Sequence, residues 1–404
     1  MRPLLPHSAR LRNIGSRITE PADTTVVETV LIRPAVPADG AALIEAAAQI
    51  DAETEFLGVP GQPHPWAERP DAELRSLNDS GRGIVLLAVT RSGAIVGYLS
   101  AFAGHFARNR GNVFIAVIGL RETYRGQGIG TRLFEEVEEW ARRRHAWRLE
   151  LRVSSLNERG QALYRKRGLE IEGRIRGGVF RRGAWTDDFW MGKLLEPIPG
   201  LKLAALPADS ARPATATPSD AAPVLREMRA GDGAAFRAWE IRMAETVPFA
   251  IKLPSEVPSA DAVERDLAHP PKDPRFWLVA TVPRRHGNDA IIGFASASIE
   301  YGFRMQHDAF VNVAIVPEWQ GRGLGRKMHD RIEAWALEHD VRRLTAAVQA
   351  PNQPGRAFAA ALGYETEVTM RCYSMIGGRM VDRLRLGKLF GAQDGLNGVK
   401  PVMF

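Results

Sequence analysis

No run of apolar residues in this 404-residue sequence reaches the roughly 18 needed to cross a bilayer as a helix, so no membrane-spanning segment is expected. Cysteine is almost absent. Cys372 stands alone, which rules out an intrachain disulfide and suits a reducing cytosol, so a cytoplasmic chain is expected. The nine histidines and the one cysteine show no metal-ligand spacing, so no metal site is expected. No glycine run is followed by Gly-Lys-Ser/Thr, which excludes a Walker A loop. A long basic stripe interleaved with aromatics is also missing. The net charge of +7, from 54 basic and 47 acidic residues, therefore reads as a solvated Arg-rich surface rather than a nucleic-acid interface. It still favours an anionic ligand. No acid precedes Glu20, while Arg2, Arg10, Arg12 and Arg17 do. That bias resembles a transit peptide, but Pro3 and Pro6 disfavour a helix there, and residues 1–25 are expected to be a disordered tail.

What is present in quantity is repetition. Arg125-Gly126-Gln127-Gly128-Ile129-Gly130 is followed 195 residues later by Gln320-Gly321-Arg322-Gly323-Leu324-Gly325. The same offset joins Asn157 to Asn352, Gly168 to Gly363, and Gly192-Lys193-Leu194 to Gly387-Lys388-Leu389. Four landmarks in one register define two copies of one domain. Residues 26–195 and 225–390 are assigned to them. Residues 196–224, rich in Pro and Ala, read as a semi-rigid linker with some packing around 201–206, and 391–404 as a tail.

Within the first copy, a β-branched run at 26–32 predicts a strand, and Asp39 is placed to cap a helix over 41–50. Strands are predicted at 84–89, 95–102 and 113–120, the first two joined by a glycine-containing hairpin loop. The helix after the glycine loop buries Leu133, Val137, Trp140 and Ala141, leaving Glu135, Glu136, Glu138 and Glu139 largely off that face. Met328, Ile332, Trp335 and Ala336 repeat the apolar stripe. Strands at 149–153 and 343–348 follow, and then a short helix in each copy that ends at Gly168 or Gly363 in a left-handed cap. The predicted class is α/β (α+β): two domains, each a mixed, mostly antiparallel twisted sheet flanked by helices.

The glycine loop carries the chemistry. Alternating glycines let backbone amides turn inward, and the helix behind adds its unpaired N–H groups and dipole, which together suit a diphosphate. The pattern is Gly-x-Gly-x-Gly late in its domain, unlike the Gly-x-Gly-x-x-Gly that follows the first strand of a dinucleotide fold.

Both copies resemble the GNAT acetyltransferase superfamily. The phrase Val313-Ala314-Ile315-Val316-Pro317-Glu318-Trp319-Gln320-Gly321-Arg322-Gly323-Leu324-Gly325 carries the likeness most fully. The first copy departs at Gly119-Leu120-Arg121-Glu122 and rejoins it at Tyr124-Arg125-Gly126. The resemblance implies acetyl-CoA as cofactor, with its diphosphate on the amides of Gly126, Gln127, Gly128, Ile129, Gly130 and Thr131, and of Gly321, Arg322, Gly323, Leu324, Gly325 and Arg326. It implies a pantetheine arm paired with Ile118, Gly119 and Leu120, and with Val313, Ala314 and Ile315. The family's second motif supplies Asn157 and Asn352, which the resemblance implies as cofactor-binding residues. Tyr164 has the implied role of general acid toward the CoA thiolate, and Ala359 stands at its place in the second copy. No general base is singled out. Asp187, Asp188 and His105 are candidates in the first copy, and Asp308, His307 and Asp382 in the second. The expectation is an N-acetyltransferase acting on a primary amine of a small molecule, amino acid or peptide, with the first copy as the main catalyst. The alternative is an acyl-CoA sensor with one or both copies degenerate.

Overall fold

The computed structural model describes residues 29–58, 64, 66–181, 184–195, 222–269, 274–283, 289–299, 305 and 307–390. The tails, the Pro/Ala-rich stretch at 196–221 and the predicted strand's first residues at 26–28 lie outside them.

The first half contains β1 (Val30–Pro34), α1 (Gly40–Ala52), α2 (Pro70–Ser80), β2 (Gly83–Thr90), β3 (Ile95–Ala103), β4 (Asn112–Leu120), α3 (Ile129–Arg143), β5 (Arg148–Ser154), α4 (Glu158–Lys166), β6 (Glu170–Arg181) and β7 (Ala184–Leu194). The second repeats the order with β8 (Val224–Glu227), α5 (Gly233–Thr246), α6 (Ala260–Ala268), β9 (Arg275–Val282), β10 (Ala290–Ile299), β11 (Asp308–Ile315), α7 (Leu324–Glu338), β12 (Arg343–Gln349), α8 (Gln353–Ala361), β13 (Glu365–Ile376) and β14 (Arg379–Leu389). Among these elements no helix is long and apolar enough to cross a membrane.

β2 is buried along its whole length because both of its faces are covered. Ile84, Leu86 and Ala88 join the core under α3, while Val85, Leu87 and Val89 pack with Leu43, Ala47 and Ile50 of α1. On α3 the i, i+4 series Ile129, Leu133, Val137, Ala141 is buried, as its spacing predicts. Glu138 departs from the expected solvent face. It is buried because Lys193 donates to both its oxygens at 2.8 and 2.9 Å and Arg142 to one at 2.8 Å. The pairing recurs 195 residues on, where Lys388 bonds Glu333. Asp39 makes no side-chain cap of α1. Its carboxylate accepts from Val36 N at 2.8 Å and from Arg33 at 2.6 and 2.7 Å, holding the turn before the helix.

The strands form one sheet in the order β1-β2-β3-β4-β5-β7-β6-β13-β14-β12-β11-β10-β9-β8, a palindrome of the two halves. Among the described residues only β4–β5 and β11–β12 pair in parallel. The halves join where Gly173 of β6 pairs with Val368 of β13, positions 195 apart. A Cβ on Gly173 would lie 2.1 Å from the Glu367 carbonyl oxygen, so only glycine fits this crossing.

Around that point the contacts are reciprocal, as at a two-fold interface. Glu172 and Glu367 are each the extra residue of a bulge, which turns their carboxylates toward buried arginines. Arg148 donates to Glu172 and, at 2.8 Å, to the Arg371 carbonyl of the other half. Arg343 likewise donates to Glu367 and, at 2.9 Å, to the Arg176 carbonyl. Arg371 and Arg176 return the bond to Glu172 and Glu367, each at 3.0 Å. Trp147 Nε1 donates to the Cys372 carbonyl at 3.0 Å, so the single cysteine, distant in sequence, lies against the first half. Cys372 has φ 51°, and its counterpart Gly177 has φ 55°; the second half thus holds a side chain in a conformation that favours glycine.

His307 Nε2 donates to the Gly177 carbonyl at 2.7 Å across the same interface. Burial pushes its imidazole down to about 4, against the pull of neighbouring Asp308. The unfolded imidazole binds its proton near pH 6.5. This group therefore gives its full stability above that pH, and loses it as pH falls toward 4, up to about 3 kcal/mol. Replacing it by the residue at the equivalent first-half position, His307→Asn, is expected to flatten that acid loss in urea denaturation between pH 7 and pH 4.5.

Candidate active site

A slot opens in each half where its parallel ladder stops. β4 pairs with β5 only over Asn112–Ile115 and Arg148–Leu151, while its ladder with β3 runs on to Leu120. Residues 116–120, including Ile118, Gly119 and Leu120, therefore keep one backbone edge facing the gap. In the second half β11 pairs with β12 only through Phe310, and with β10 as far as Ile315. Val313, Ala314 and Ile315 thus line the corresponding gap. Gly119, the first half's departure from the expected phrase, has a packing cause. A Cβ there would lie 2.9 Å from both Ile50 Cγ2 and Leu57 Cδ1.

The two slots differ in one respect that no residue pattern signalled. β3 and β4 shift register between Ser100/Val117 and Ala101/Ile115, which leaves Ala116 out of the ladder as a bulge at the slot's mouth. The β10–β11 register is continuous throughout.

The glycine loop sits at the slot's end. Arg125 Nε donates to the Leu120 carbonyl at 3.0 Å, and Gln320 Nε2 does the same to Ile315 at 2.9 Å, tethering loop to strand. Gly126 and Gly128 have φ 80° and 79°, and Gly321 and Gly323 have φ 75° and 74°. Nothing lies within 4 Å of a Cβ placed at Gly126, Gly128 or Gly323, so backbone conformation alone demands glycine and the space before the loop is open. The third glycine differs. Gly130 and Gly325 are helical; a Cβ on Gly325 would press on Phe358 of α8 at 3.0 Å, whereas one on Gly130 would make an ordinary contact with Leu163 of α4 at 3.4 Å. Neither α3 nor α7 has a side-chain cap. The first-turn amides, those of Ile129, Gly130 and Thr131 and of Leu324, Gly325 and Arg326, have no helical partner. Together they fit a diphosphate. Around them Gln127 Nε2 bonds the Thr123 carbonyl, Arg326 bonds the Ala361 carbonyl, and Arg322 lies over the Trp319 ring.

Asn157 and Asn352 are N-caps. Their side-chain oxygens accept from Gly160 N at 2.9 Å and Gly355 N at 3.1 Å, which fixes the start of α4 and α8 beside the slots. α4 carries Tyr164 into the core against Phe134, with ring centroids 6.3 Å apart. Burial raises its phenol above the usual value near 10, so it stays protonated. In the second half Ala359 removes that phenol. Tyr364 instead packs on His329, the counterpart of Phe134, and its hydroxyl lies 2.9 Å from His329 Nε2. Among the described residues His329, Asp330 and Glu333 lie close enough to share a metal ion. Tyr364 and Lys388 already bond two of them, so the cluster reads as a core network.

All six candidate bases hold scaffold bonds. Asp187 and Asp382 accept from Gly177 N and Cys372 N at 2.7 and 2.8 Å, closing equivalent bulges in β6 and β13. Asp308 is bonded by Arg343 and Thr345, His307 by the Gly177 carbonyl, and His105 lies 3.0 Å from Arg82. Asp188 stands beside the slot, opposite Ser154, but is held by Arg152 at 2.7 Å and Arg181 at 3.3 Å.

Residues 46–169 and 239–364 each match the acetyltransferase (GNAT) family model. Among solved structures, the acetyltransferase of GNAT family from Streptococcus pneumoniae is 31% identical over 42% of this chain and 100% of its own, with a TM-score of 0.39. The ribosomal-protein-alanine N-acetyltransferase from Brucella melitensis is 30% identical over 41% of this chain and 99% of its own, at 0.37. The phosphinothricin acetyltransferase from Sinorhizobium meliloti, in complex with AcCoA, is 19% identical over 45% and 93%, at 0.38. None of the curated proteins compared matches the chain.

Proposed function

Because the chain belongs to the acetyltransferase (GNAT) family, we propose that it is an acetyl-CoA-dependent N-acetyltransferase whose first half transfers an acetyl group to a primary amine of a small molecule, amino acid or peptide. The observation that carries the assignment is the asymmetry of the slots. Ala116 bulges and Tyr164 is present in the first, and the second has neither feature.

When bound, acetyl-CoA supplies an activated thioester. The loop amides of Gly126 to Thr131 hold the diphosphate, and the open edge at 116–120 pairs with the pantetheine arm as an added strand would. That pairing is backbone-only, so Gly119 does not impair it. The amide freed by the bulge is placed to stabilise charge developing on the carbonyl oxygen. The Tyr164 hydroxyl donates to the departing sulfur. The slot holds the amine close to the carbonyl, which replaces a bimolecular encounter by a positioned one. No carboxylate of the described residues is assigned as base; the ammonium proton leaves to water.

A second reading applies to the second half alone. It keeps the glycine loop, yet Ala359 and the unbroken β10–β11 ladder leave it as an acyl-CoA-binding partner that regulates or supports the first. The test of the main reading is a panel of primary amines, amino acids and short peptides, with free CoA as readout. Amine-dependent CoA release supports it, and an absence of release with every acceptor refutes it.

A further inference from the structure

Strand alternation divides the walls of the first slot. Leu151 and Val153 of β5 enter the core under α3, so Arg152 and Ser154 lie on the opposite, acceptor face. A chain of contacts rims that face. It starts at the Glu55 carbonyl, just after α1, which accepts from Arg181 Nε at 3.2 Å. Arg181 bonds Asp188, and Asp188 bonds Arg152 Nε. Arg152 Nη2 donates to the Gly178 carbonyl at 2.7 Å. The last link comes from the other half: Arg152 Nη1 lies 3.1 Å from the Met305 sulfur. Two residues on, His307 is fixed by the Gly177 carbonyl, and its ring centroid is 3.7 Å from that of Trp185. Met305 is thus held against the rim.

The first half also reaches the second, at the segment after α5. Ala107 N of the first half donates to Glu256 at 2.7 Å, Arg108 donates to the Ala250 carbonyl, and Lys252 lies over the Phe106 ring. In both halves, the segment before the β4-type strand of one half closes on the segment after the first helix, or on the rim, of the other.

We propose that the first half's acceptor pocket is completed by the second half, with Met305 as a specificity-determining residue that touches the part of the acceptor farthest from its amine. This inference rests on the acetyltransferase reading and deepens it. A thioether wall is adaptable and apolar, and it sets the length of the acceptor that fits. It also gives the second half a function that does not require its own catalysis.

The test uses the full-length protein and straight-chain primary amines of increasing length, with kcat/KM for each amine and KM for acetyl-CoA. Met305→Ala is expected to move the optimum to longer amines, changing the ratio of kcat/KM between long and short acceptors by about tenfold. Met305→Leu, which restores volume, is expected to return the ratio toward wild type. KM for acetyl-CoA stays constant in both. An unchanged ratio in Met305→Ala, or an equal loss for every amine, overturns the proposal, since a purely structural role lowers all acceptors alike. If none of the amines elicits CoA release from the unaltered protein, the reading beneath the proposal fails, and this is distinct from an unaltered ratio.

Discussion

Tyr164→Phe is expected to lower kcat by about a hundredfold or more while leaving KM for acetyl-CoA nearly unchanged, the range in which a positioned proton donor contributes. The phenylalanine ring keeps the packing on Phe134, so the substitution removes one hydroxyl and little else. The glycine loop is untouched, which is why coenzyme affinity is spared. Burial holds the phenol protonated above its ordinary range, so the donor is present at neutral pH and contributes no alkaline fall in rate below about pH 10. Steady-state CoA release and thermal denaturation of the same preparation separate lost chemistry from lost fold.

Arg148→Met is expected to cost about 3–5 kcal/mol of stability, because removing one member of a buried ion cluster strands the others. Arg148 has no exposed surface, and the side chains of Glu150 and Glu172 are 4% and 2% exposed. The guanidinium meets both carboxylates and the Arg371 carbonyl, so its loss leaves two buried charges and one carbonyl short of a donor. The cluster spans both halves, so the effect is expected in the whole chain's urea transition rather than in one part of it. The triple change Arg148→Met, Glu150→Gln, Glu172→Gln neutralises the stranded acids and is expected to recover much of the loss. A single change costing under about 1 kcal/mol, the scale of an exposed pair, contradicts the assignment.

Much of this architecture is legible in the sequence because duplication prints it twice. The 195-residue register located both glycine loops, both α4-type helices and the order of elements around them. Periodicity placed Leu133, Val137 and Ala141 inward correctly, since apolar residues at helical spacing have one place to go. Charged residues were harder. Glu138 looks like its solvent-exposed neighbours until Lys193 arrives from β7, and a buried Arg148 is indistinguishable from a surface arginine in a chain with 54 basic residues. A signal for the interface was nonetheless present: Arg148, Glu172 and Arg176 recur in register as Arg343, Glu367 and Arg371. The bulge at Ala116 had no such mark, because it depends on cross-strand register rather than on glycine or proline. Gly119 is a departure from the first copy's motif in the sequence alone; its packing cause, the approach of Ile50 and Leu57, is visible only in the fold.

The central claim is that catalysis sits in the first half and that the second completes it. Its most direct measurement is amine-dependent CoA release by full-length Gly128→Val and Gly323→Val, two equivalent changes at left-handed positions with open space before them. Each places a branched side chain where, under the proposed function, the loop amides would hold the diphosphate. The account predicts that Gly128→Val loses nearly all turnover and Gly323→Val far less. Loss of turnover in Gly323→Val, with Gly128→Val still active, would place the working site in the second half and contradict it.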